Sequence, residues 1–391
     1  MKVVELFAGI GGFRIACDRL GLHTVWANDN SPMACSVYRS RFGDAVLREG
    51  NIEDYLEEIP SHDLLTAGFP CQPFSSAGKK MGIEDPRGTL FQTIVDVLHA
   101  RKPRRFVLEN VKRLLTMDRG RHFATILDAL SELDYAIEWR LINAMHLGLP
   151  QNRQRVFIVG TRDERADEGR LRLASGEELS ESPGFNARTL RSLSSWPRIV
   201  AHGSRFPSWG VAYRGRFLGA DLDLFLDADS KVLLKQVLQP PREISKDFDF
   251  TESTLERLKA STVVDKYVGG VEILSNQGGG ARMGYTVFGV NGVAPTLTST
   301  QSRHYERYKV GSRYRRLTNV EYARIQGFPD DHCSCVSPYN QYALFGNAVP
   351  PNMASWALQR ALSRGRSIAR EFFTSQRPNG AEIRAALALQ S

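Results

Sequence analysis

The 391-residue sequence predicts an α/β fold in which a Rossmann-like sheet, covered by helices, is joined to a smaller loop-rich lobe. Three observations lead there. Residues 1–160 alternate strand-like and helix-like patterns, the signature of a parallel sheet with crossover helices. From about 165 to 310, Gly, Pro and Ser become frequent and the apolar periods shorten. Helical periodicity then returns at 318–326 and 350–364.

The first strand covers 2–7, an apolar run with Glu5 inside it, and leads through a glycine turn into a helix at 12–20. Further strands fall at 23–28, 63–67, 104–109, 136–142 and 155–160, and further helices at 31–42, 87–100 and 121–133. In the loop-rich stretch only 252–260 reads as helical. Thr318, followed by Glu321, forms a capping box at the start of the 318–326 helix. The expected division is 1–165 for the first part of the sheet domain, 166–312 for the second lobe, and 313–365 for the return. A tail follows at 366–391.

Composition narrows the function. Hydrophobic content of 42% and charged content of 24% belong to an ordinary globular protein, and no apolar run approaches membrane-spanning length. The N-terminus has no signal-peptide pattern, and five cysteines are too few for a disulfide framework, so a cytoplasmic, reducing compartment is expected. His332-Cys333-Ser334-Cys335 lacks a second ligand pair elsewhere, so no metal is expected. A net charge of +8 favours a polyanionic partner. Residues 182–220 hold no Asp or Glu but carry Arg188, Arg191, Arg198, Arg205, Arg214 and Arg216, interleaved with Trp196, Trp209, Tyr213 and Phe217. A second acid-free stretch, 273–305, includes Arg282 and Arg303.

Glu5 to Arg14 reads as strand, glycine turn and helix, where the backbone can approach a ligand closely. A dinucleotide fingerprint would place a third glycine where Arg14 stands, so a nicotinamide cofactor fits poorly. Asp29, at the end of the second strand, stands where an acid accepts ribose hydroxyls. Together these point to an adenosine-containing cofactor, with S-adenosylmethionine the natural candidate.

Cys71 sits in a Pro-bracketed turn, Gly68-Phe69-Pro70-Cys71-Gln72-Pro73-Phe74-Ser75, directly after a strand. Taken alone, this cysteine could be core filling, because free cysteines are among the most buried residue types. Glu109 follows another strand, and the two strand ends converge at one sheet edge. A thiol and a carboxylic acid together form the minimum kit for alkylating carbon 5 of a pyrimidine. That carbon is a poor nucleophile until a thiolate adds to carbon 6, and an acid at ring nitrogen 3 eases the addition. Arg153 and Arg155 are the cations available to favour the thiolate; read alone, they could equally be surface charges flanking a strand.

The ordered set ELFAGIGGFR (5–14), GFPCQPFS (68–75), DPRGTLF (85–91), ENV (109–111), QNRQRVFIVG (151–160), RRLTNVEYARIQGFP (315–329) and FGNAVPP (345–351) resembles the DNA (cytosine-5) methyltransferase family of bacteria and phages. The matches run in family order through 1–160 and 315–360, about half the chain. The resemblance implies an S-adenosylmethionine-dependent methyltransferase sheet with a target-recognition lobe. It makes Cys71 the nucleophile, has Glu109 bind ring nitrogen 3 and the exocyclic amine, and lets Arg153 and Arg155 orient the base and the cysteine. It also implies a cofactor pocket formed by Phe7, Gly9, Ile10, Gly11, Gly12, Asp29, Asn51, Ile52, Pro70, Leu90, Asn347 and Val349, with S-adenosyl-L-homocysteine as product. Asn51 departs from the family, which often places an acid there facing the adenine.

The resemblance further makes 75–88 the loop that closes over an everted base, with Gln72, Ser75, Lys79, Lys80 and Arg87 toward DNA. Ala294-Pro295-Thr296-Leu297-Thr298 resembles the family's Thr-Leu recognition element. Thr296, Leu297, Arg205, Arg282 and Arg303 are then candidates for reading bases or holding phosphates. The 345–364 segment is expected to be a helix folding back beside the first strand. The function expected is methylation of cytosine in a short duplex DNA site by a monomeric enzyme, with no membrane partner; a cognate restriction endonuclease acting separately is the further partner considered. An RNA (tRNA) cytosine-5 methyltransferase and a non-catalytic DNA-binding regulator of the same fold are the alternatives.

Overall fold

The computed structural model describes residues 1–70, 86–162, 196–221, 232–278, 283–298 and 306–362. The central sheet has nine strands: β1 (Lys2–Leu6), β2 (His23–Asp29), β3 (Leu47–Glu49), β4 (Leu64–Gly68), β5 (Arg105–Val111), β6 (Tyr135–Asn143), β7 (Gln154–Arg162), β8 (Trp209–Tyr213) and β9 (Arg216–Ala220). Their order is β3-β2-β1-β4-β5-β7-β6-β8-β9. From β3 to β5 the pairing is parallel. These strands read as continuous apolar runs because both faces are covered: Val3, Val4, Leu64, Leu65, Phe106, Val107 and Leu108 are all fully buried. Helices α1 (Gly12–Arg19), α2 (Pro32–Phe42), α3 (Pro86–Arg101) and α4 (Arg121–Ser131) make the crossovers.

The expectation of a purely parallel sheet is corrected on one side. Strand β7 inserts between β5 and β6 and runs antiparallel to both. The sheet also continues past the expected boundary at 165, because β8 pairs with β6 and β9 with β8. Arg214 (φ 46°) and Gly215 (φ 70°), both left-handed, join β8 to β9 in a tight hairpin whose twist suits antiparallel strands. Most aromatic residues of the acid-free stretch are therefore core, Trp209 being only partly buried. Trp196, Tyr213 and Phe217 are buried, and Phe206 and Phe217 pack on Trp139.

The second lobe holds helix α5 (Glu252–Lys259) and a sheet ordered β10 (Thr262–Val268), β11 (Val271–Asn276), β12 (Thr286–Phe288), β13 (Arg307–Val310) and β14 (Arg313–Arg315). Its core is shared with the first lobe: Leu234, Phe288, Leu297 and Tyr308 cluster with Ile10, Val37 and Phe345. Helix α6 (Asn319–Gln326) begins on the expected capping box, with Thr318 Oγ1 accepting from the Glu321 N–H at 3.1 Å and Glu321 Oε2 from the Thr318 N–H at 2.8 Å. Glu321 also forms a buried two-pronged ion pair with Arg315, at 2.7 and 2.8 Å. The expected single helix across 345–364 is instead α7 (Pro338–Asn347) and α8 (Pro351–Leu362), separated where Pro350 and Pro351 interrupt backbone donation. Helix α8 packs Met353, Ala354, Ala357 and Leu358 onto Val3, Phe13, Ala16 and Cys17. Among the described residues no helix is long and apolar enough to cross a membrane.

Glu5 is an acid inside the buried β1, where its Oε2 accepts from the Tyr38 hydroxyl at 3.2 Å. Burial pushes its carboxyl up to about 8, opposed by the Tyr38 bond and the Arg14 charge. The folded chain thus keeps a proton that the unfolded chain releases above the ordinary carboxylate range. This stabilisation is complete at acid pH and is lost as pH rises toward 8. Glu5→Gln is expected to remove that dependence. Thermal melts of variant and wild type should diverge in the variant's favour between pH 5 and 8, at a limit of about 1.4 kcal/mol per pH unit. A constant difference across that window would contradict the assignment.

Candidate active site

Strands β1, β2 and β3 progress one way across the sheet and β4 and β5 the other, so the switch lies between β1 and β4. Ligands of open α/β sheets bind outside the carboxyl ends of strands at such a point. A cavity of about 970 Å³ opens there, and residues at or near the carboxyl end of each strand reach it: Phe7 after β1, Asp29 ending β2, Asn51 beyond β3, Pro70 beyond β4 and Glu109 in β5. That volume lies at the upper end of the range for small-molecule pockets.

One end of the cavity fits a nucleoside. Phe7, held in the left-handed conformation (φ 54°), lines it with Ile52 and Leu90. Asp29 accepts the Gly9 N–H on Oδ2 and the Ser31 N–H on Oδ1, both at 2.8 Å, which fixes its carboxylate at the rim. Each oxygen retains acceptor capacity for a ligand hydroxyl. Burial raises the Asp29 carboxyl above its ordinary range, against those two N–H donors. Asn51 lines the same end, with its Oδ1 accepting from Asn30 at 3.3 Å. Asn347 closes the cavity from the last turn of α7. An acid for a ribose, apolar faces for a base and an amide at its edge suit S-adenosylmethionine.

The other end carries Glu109. Strand register pairs Val111 with Arg155, so Arg155 and Glu109 are diagonal neighbours on one face. Arg155 Nε lies 2.9 Å from Glu109 Oε1, and both side chains are about one-tenth exposed. Burial raises the Glu109 carboxyl, with Arg155 and then Arg153 pulling it back. The same burial lowers Arg155, against the Glu109 charge. Desolvation prevails over the ion pair at Glu109, which leaves a carboxyl suited to sharing a proton with a ring nitrogen. Gly68 pairs with Glu109 across β4 and β5, and a Cβ there would meet Val349 Cγ2 at 3.2 Å and Glu109 Oε2 at 3.6 Å. Asn110 Nδ2 donates to the Phe69 carbonyl at 3.0 Å and ties the turn after β4 to β5. Pro70, which precedes Cys71 in the sequence, lines the cavity, while Cys71 itself lies outside the described residues.

Arg153 departs from its expected place. It is 1% exposed and absent from the cavity wall. Its Nη1 donates to the Leu297 carbonyl at 3.0 Å, and its Nη2 to the carbonyls of Gly346 (2.9 Å) and Ala348 (3.0 Å). Burial and the neighbouring Arg155 push it down to about 9. It stitches the Thr-Leu element to the segment carrying Asn347. Thr296 Oγ1 donates to the Asn152 carbonyl, and the Leu297 N–H to Gln151 Oε1 at 3.1 Å. Leu297 is 1% exposed, so its side chain is core and not a base-reading surface.

Four expected cofactor residues also stand behind the wall. Ile10 is buried and its carbonyl meets His332 Nε2 at 2.7 Å. Gly11 (φ 82°) caps α1. Gly12 lies so close to Val349 that a Cβ would sit 2.0 Å from the Val349 carbonyl oxygen. Arg205 is paired with Asp221 at 2.6 Å on the rim of the nine-stranded sheet. Arg87 belongs to α3, while Gln72, Ser75, Lys79, Lys80, Arg282 and Arg303 lie outside the described residues. Sequence reasoning missed Asn28, Glu53, Asn110, Arg113, Asp118 and His122, all lining the cavity. The last three follow Glu109 within fifteen residues, and the basic run after ENV was the available signal.

A family model for C-5 cytosine-specific DNA methylase matches residues 1–362. The Type II methyltransferase M1.ScrFI of Lactococcus lactis subsp. cremoris is 32% identical over 366 residues, covering 89% of this chain and 74% of its own. The Type II methyltransferase M.HhaI of Haemophilus parahaemolyticus is 29% identical over 366 residues, covering 91% and 92%. Among solved structures, the S. pombe Dnmt2 methyltransferase superposes with a TM-score of 0.61 at 17% identity, over 94% of this chain and 100% of that one, a likeness of fold. The family is S-adenosylmethionine-dependent. By its fold, by the converging strand ends at its cavity and by this match, the chain belongs to the C-5 cytosine-specific DNA methylase family and is a DNA cytosine-5 methyltransferase.

Proposed function

We propose that this enzyme methylates carbon 5 of a cytosine everted from a short duplex DNA site, through a covalent adduct on Cys71, as the modification half of a restriction-modification system or as an orphan modification enzyme. The observation that carries the reading is a single cavity with a nucleoside-shaped end at Phe7, Asp29 and Ile52 and an acid–arginine pair, Glu109 and Arg155, at its other end. S-adenosylmethionine, held by Asp29, Asn51, Asn347 and the apolar faces of Phe7, Ile52 and Leu90, supplies an electrophilic methyl group and leaves as S-adenosylhomocysteine. The chain's own residues do the rest. The Cys71 thiolate adds to carbon 6 and forms an S–C bond, while Glu109 holds a proton at ring nitrogen 3 to receive the displaced electron pair. Carbon 5 becomes nucleophilic and takes the methyl group. Loss of the carbon-5 proton to a base and cleavage of the S–C bond then restore the thiolate and the aromatic ring. Eversion costs a few kcal/mol, which contacts to the DNA backbone offset.

Incubation with labelled S-adenosylmethionine and mixed-sequence duplex DNA is expected to place label in 5-methylcytosine; label absent from cytosine refutes the reading. Cys71→Ser is expected to abolish turnover and to leave duplex binding within a few-fold of wild type. Equal loss of both would make Cys71 structural. Label entering tRNA in preference to duplex DNA would favour the RNA-directed alternative.

A further inference from the structure

We infer that residues 112–121, from the end of β5 to the first residue of α4, form a phosphate-binding rim that grips the DNA backbone beside the base seated against Glu109. The inference rests on the DNA methyltransferase reading and adds a binding site to it. The segment Lys112-Arg113-Leu114-Leu115-Thr116-Met117-Asp118-Arg119-Gly120-Arg121 carries four cations and one acid. All four cations are exposed. Arg121 makes a long, exposed pair with Asp118 at 3.8 Å. Among the described residues, Lys112, Arg113 and Arg119 have no carboxylate partner.

An ordinary solvated charge run would account for composition alone, but not for place or build. Arg113 and Asp118 line the same cavity as Glu109 and Arg155, and Lys112, Arg119 and Arg121 adjoin these two in the chain, so the basic segment borders the cavity. The backbone beneath them is anchored. Leu114 and Leu115 are buried in the main core, and the Phe206 N–H donates to the Leu115 carbonyl at 2.9 Å. Gly120 lies against Ser204, where a Cβ would stand 2.0 Å from the carbonyl oxygen. Asp118 (φ 46°), Arg119 (φ 52°) and Gly120 (φ 84°) are left-handed in succession. Non-glycine residues hold that conformation only where their surroundings over-determine it, and such strain concentrates at functional sites. Cations preset on a rigid base, short of acids and beside a pocket for one nucleotide, suit the phosphodiesters flanking that nucleotide.

The test is duplex binding by the full-length protein across a range of salt, using a labelled mixed-sequence duplex. Each phosphate contact contributes about 0.9 to the slope of log K against log salt. Lys112→Ala/Arg113→Ala/Arg119→Ala is expected to bind more weakly and to lower that slope by roughly 2 to 3. Arg119→Gly removes one cation at a residue whose φ glycine adopts freely, so the fold is kept and the slope should fall by about 1. A wild-type slope in either folded variant overturns the rim. Cytosine labelling is read in the same preparations of wild type. Labelling with unchanged variant slopes defeats the rim alone, whereas its absence defeats the methyltransferase reading and the rim with it.

Discussion

Glu109→Gln is expected to lower methyl transfer by about two to four powers of ten, while duplex binding stays within a few-fold of wild type. Gln keeps the shape and a hydrogen-bonding edge but cannot donate a carboxyl proton to ring nitrogen 3. Its amide also faces Arg155 Nε at the position now occupied by Oε1, 2.9 Å away, where an anion is replaced by a neutral group. Burial holds the Glu109 carboxyl above its ordinary range, so more of it is protonated near neutrality than an exposed glutamate would be. The wild-type single-turnover rate should therefore fall as pH rises through the Glu109 value, and that limb should vanish in the variant. A variant as fast as wild type, or one that loses DNA binding in step with rate, would remove Glu109 from the chemistry.

Arg153→Met is expected to act on the framework. Methionine follows the same path but leaves the carbonyls of Leu297, Gly346 and Ala348 without their donor. A buried polar group stripped of its partner costs about 1–3 kcal/mol, and three sharing one guanidinium should together cost roughly 3 kcal/mol or more. Relief of repulsion from Arg155, part of what pushes Arg153 down to about 9, offsets some of this but does not supply three donors. Because Gly346 and Ala348 flank Asn347 at the cavity, S-adenosylmethionine binding should weaken too. Thermal melting with and without the cofactor reads both effects. Arg153→Lys should recover part of the stability, since an ammonium reaches fewer of the three acceptors than the guanidinium fork. Unaltered melting in Arg153→Met would show that the three bonds contribute little.

Much of the site was legible because parallel βα units bring strand ends to one edge. Phe7, Asp29, Ile52, Pro70 and Glu109 are far apart in sequence, yet each lies at or near the carboxyl end of a strand, and that rule suffices to gather them. The short β3 and helix α7 escaped the periodicity reading. Three residues carry too little pattern for a strand. Helix α7 is marked chiefly by Ser337-Pro338, a helix start that apolar spacing does not display.

Other features depended on which surface came to lie opposite. Arg153 and Arg155 are two residues apart, and strand alternation would put both on one face. Strand β7 begins only at Gln154, and Arg153 precedes it with its N–H held by Asn143 Oδ1 at 3.0 Å, so only Arg155 reaches Glu109. The arginine- and aromatic-rich stretch around 196–220 looked like a nucleic-acid surface. It became the far edge of the main sheet once β8 found β6, its rings buried around Trp139.

By itself the sequence determined the fold class, the family and the set of residues that meet at the sheet's carboxyl edge. These follow from local pattern and from a chain rule that any parallel sheet obeys. Only the tertiary structure decided that Arg155 faces the cavity while Arg153 braces it, that Leu297 is core, and that Arg113 and Asp118 of a basic segment line the cavity. Direction and burial of a side chain are set by neighbours distant in sequence, and composition holds no record of them.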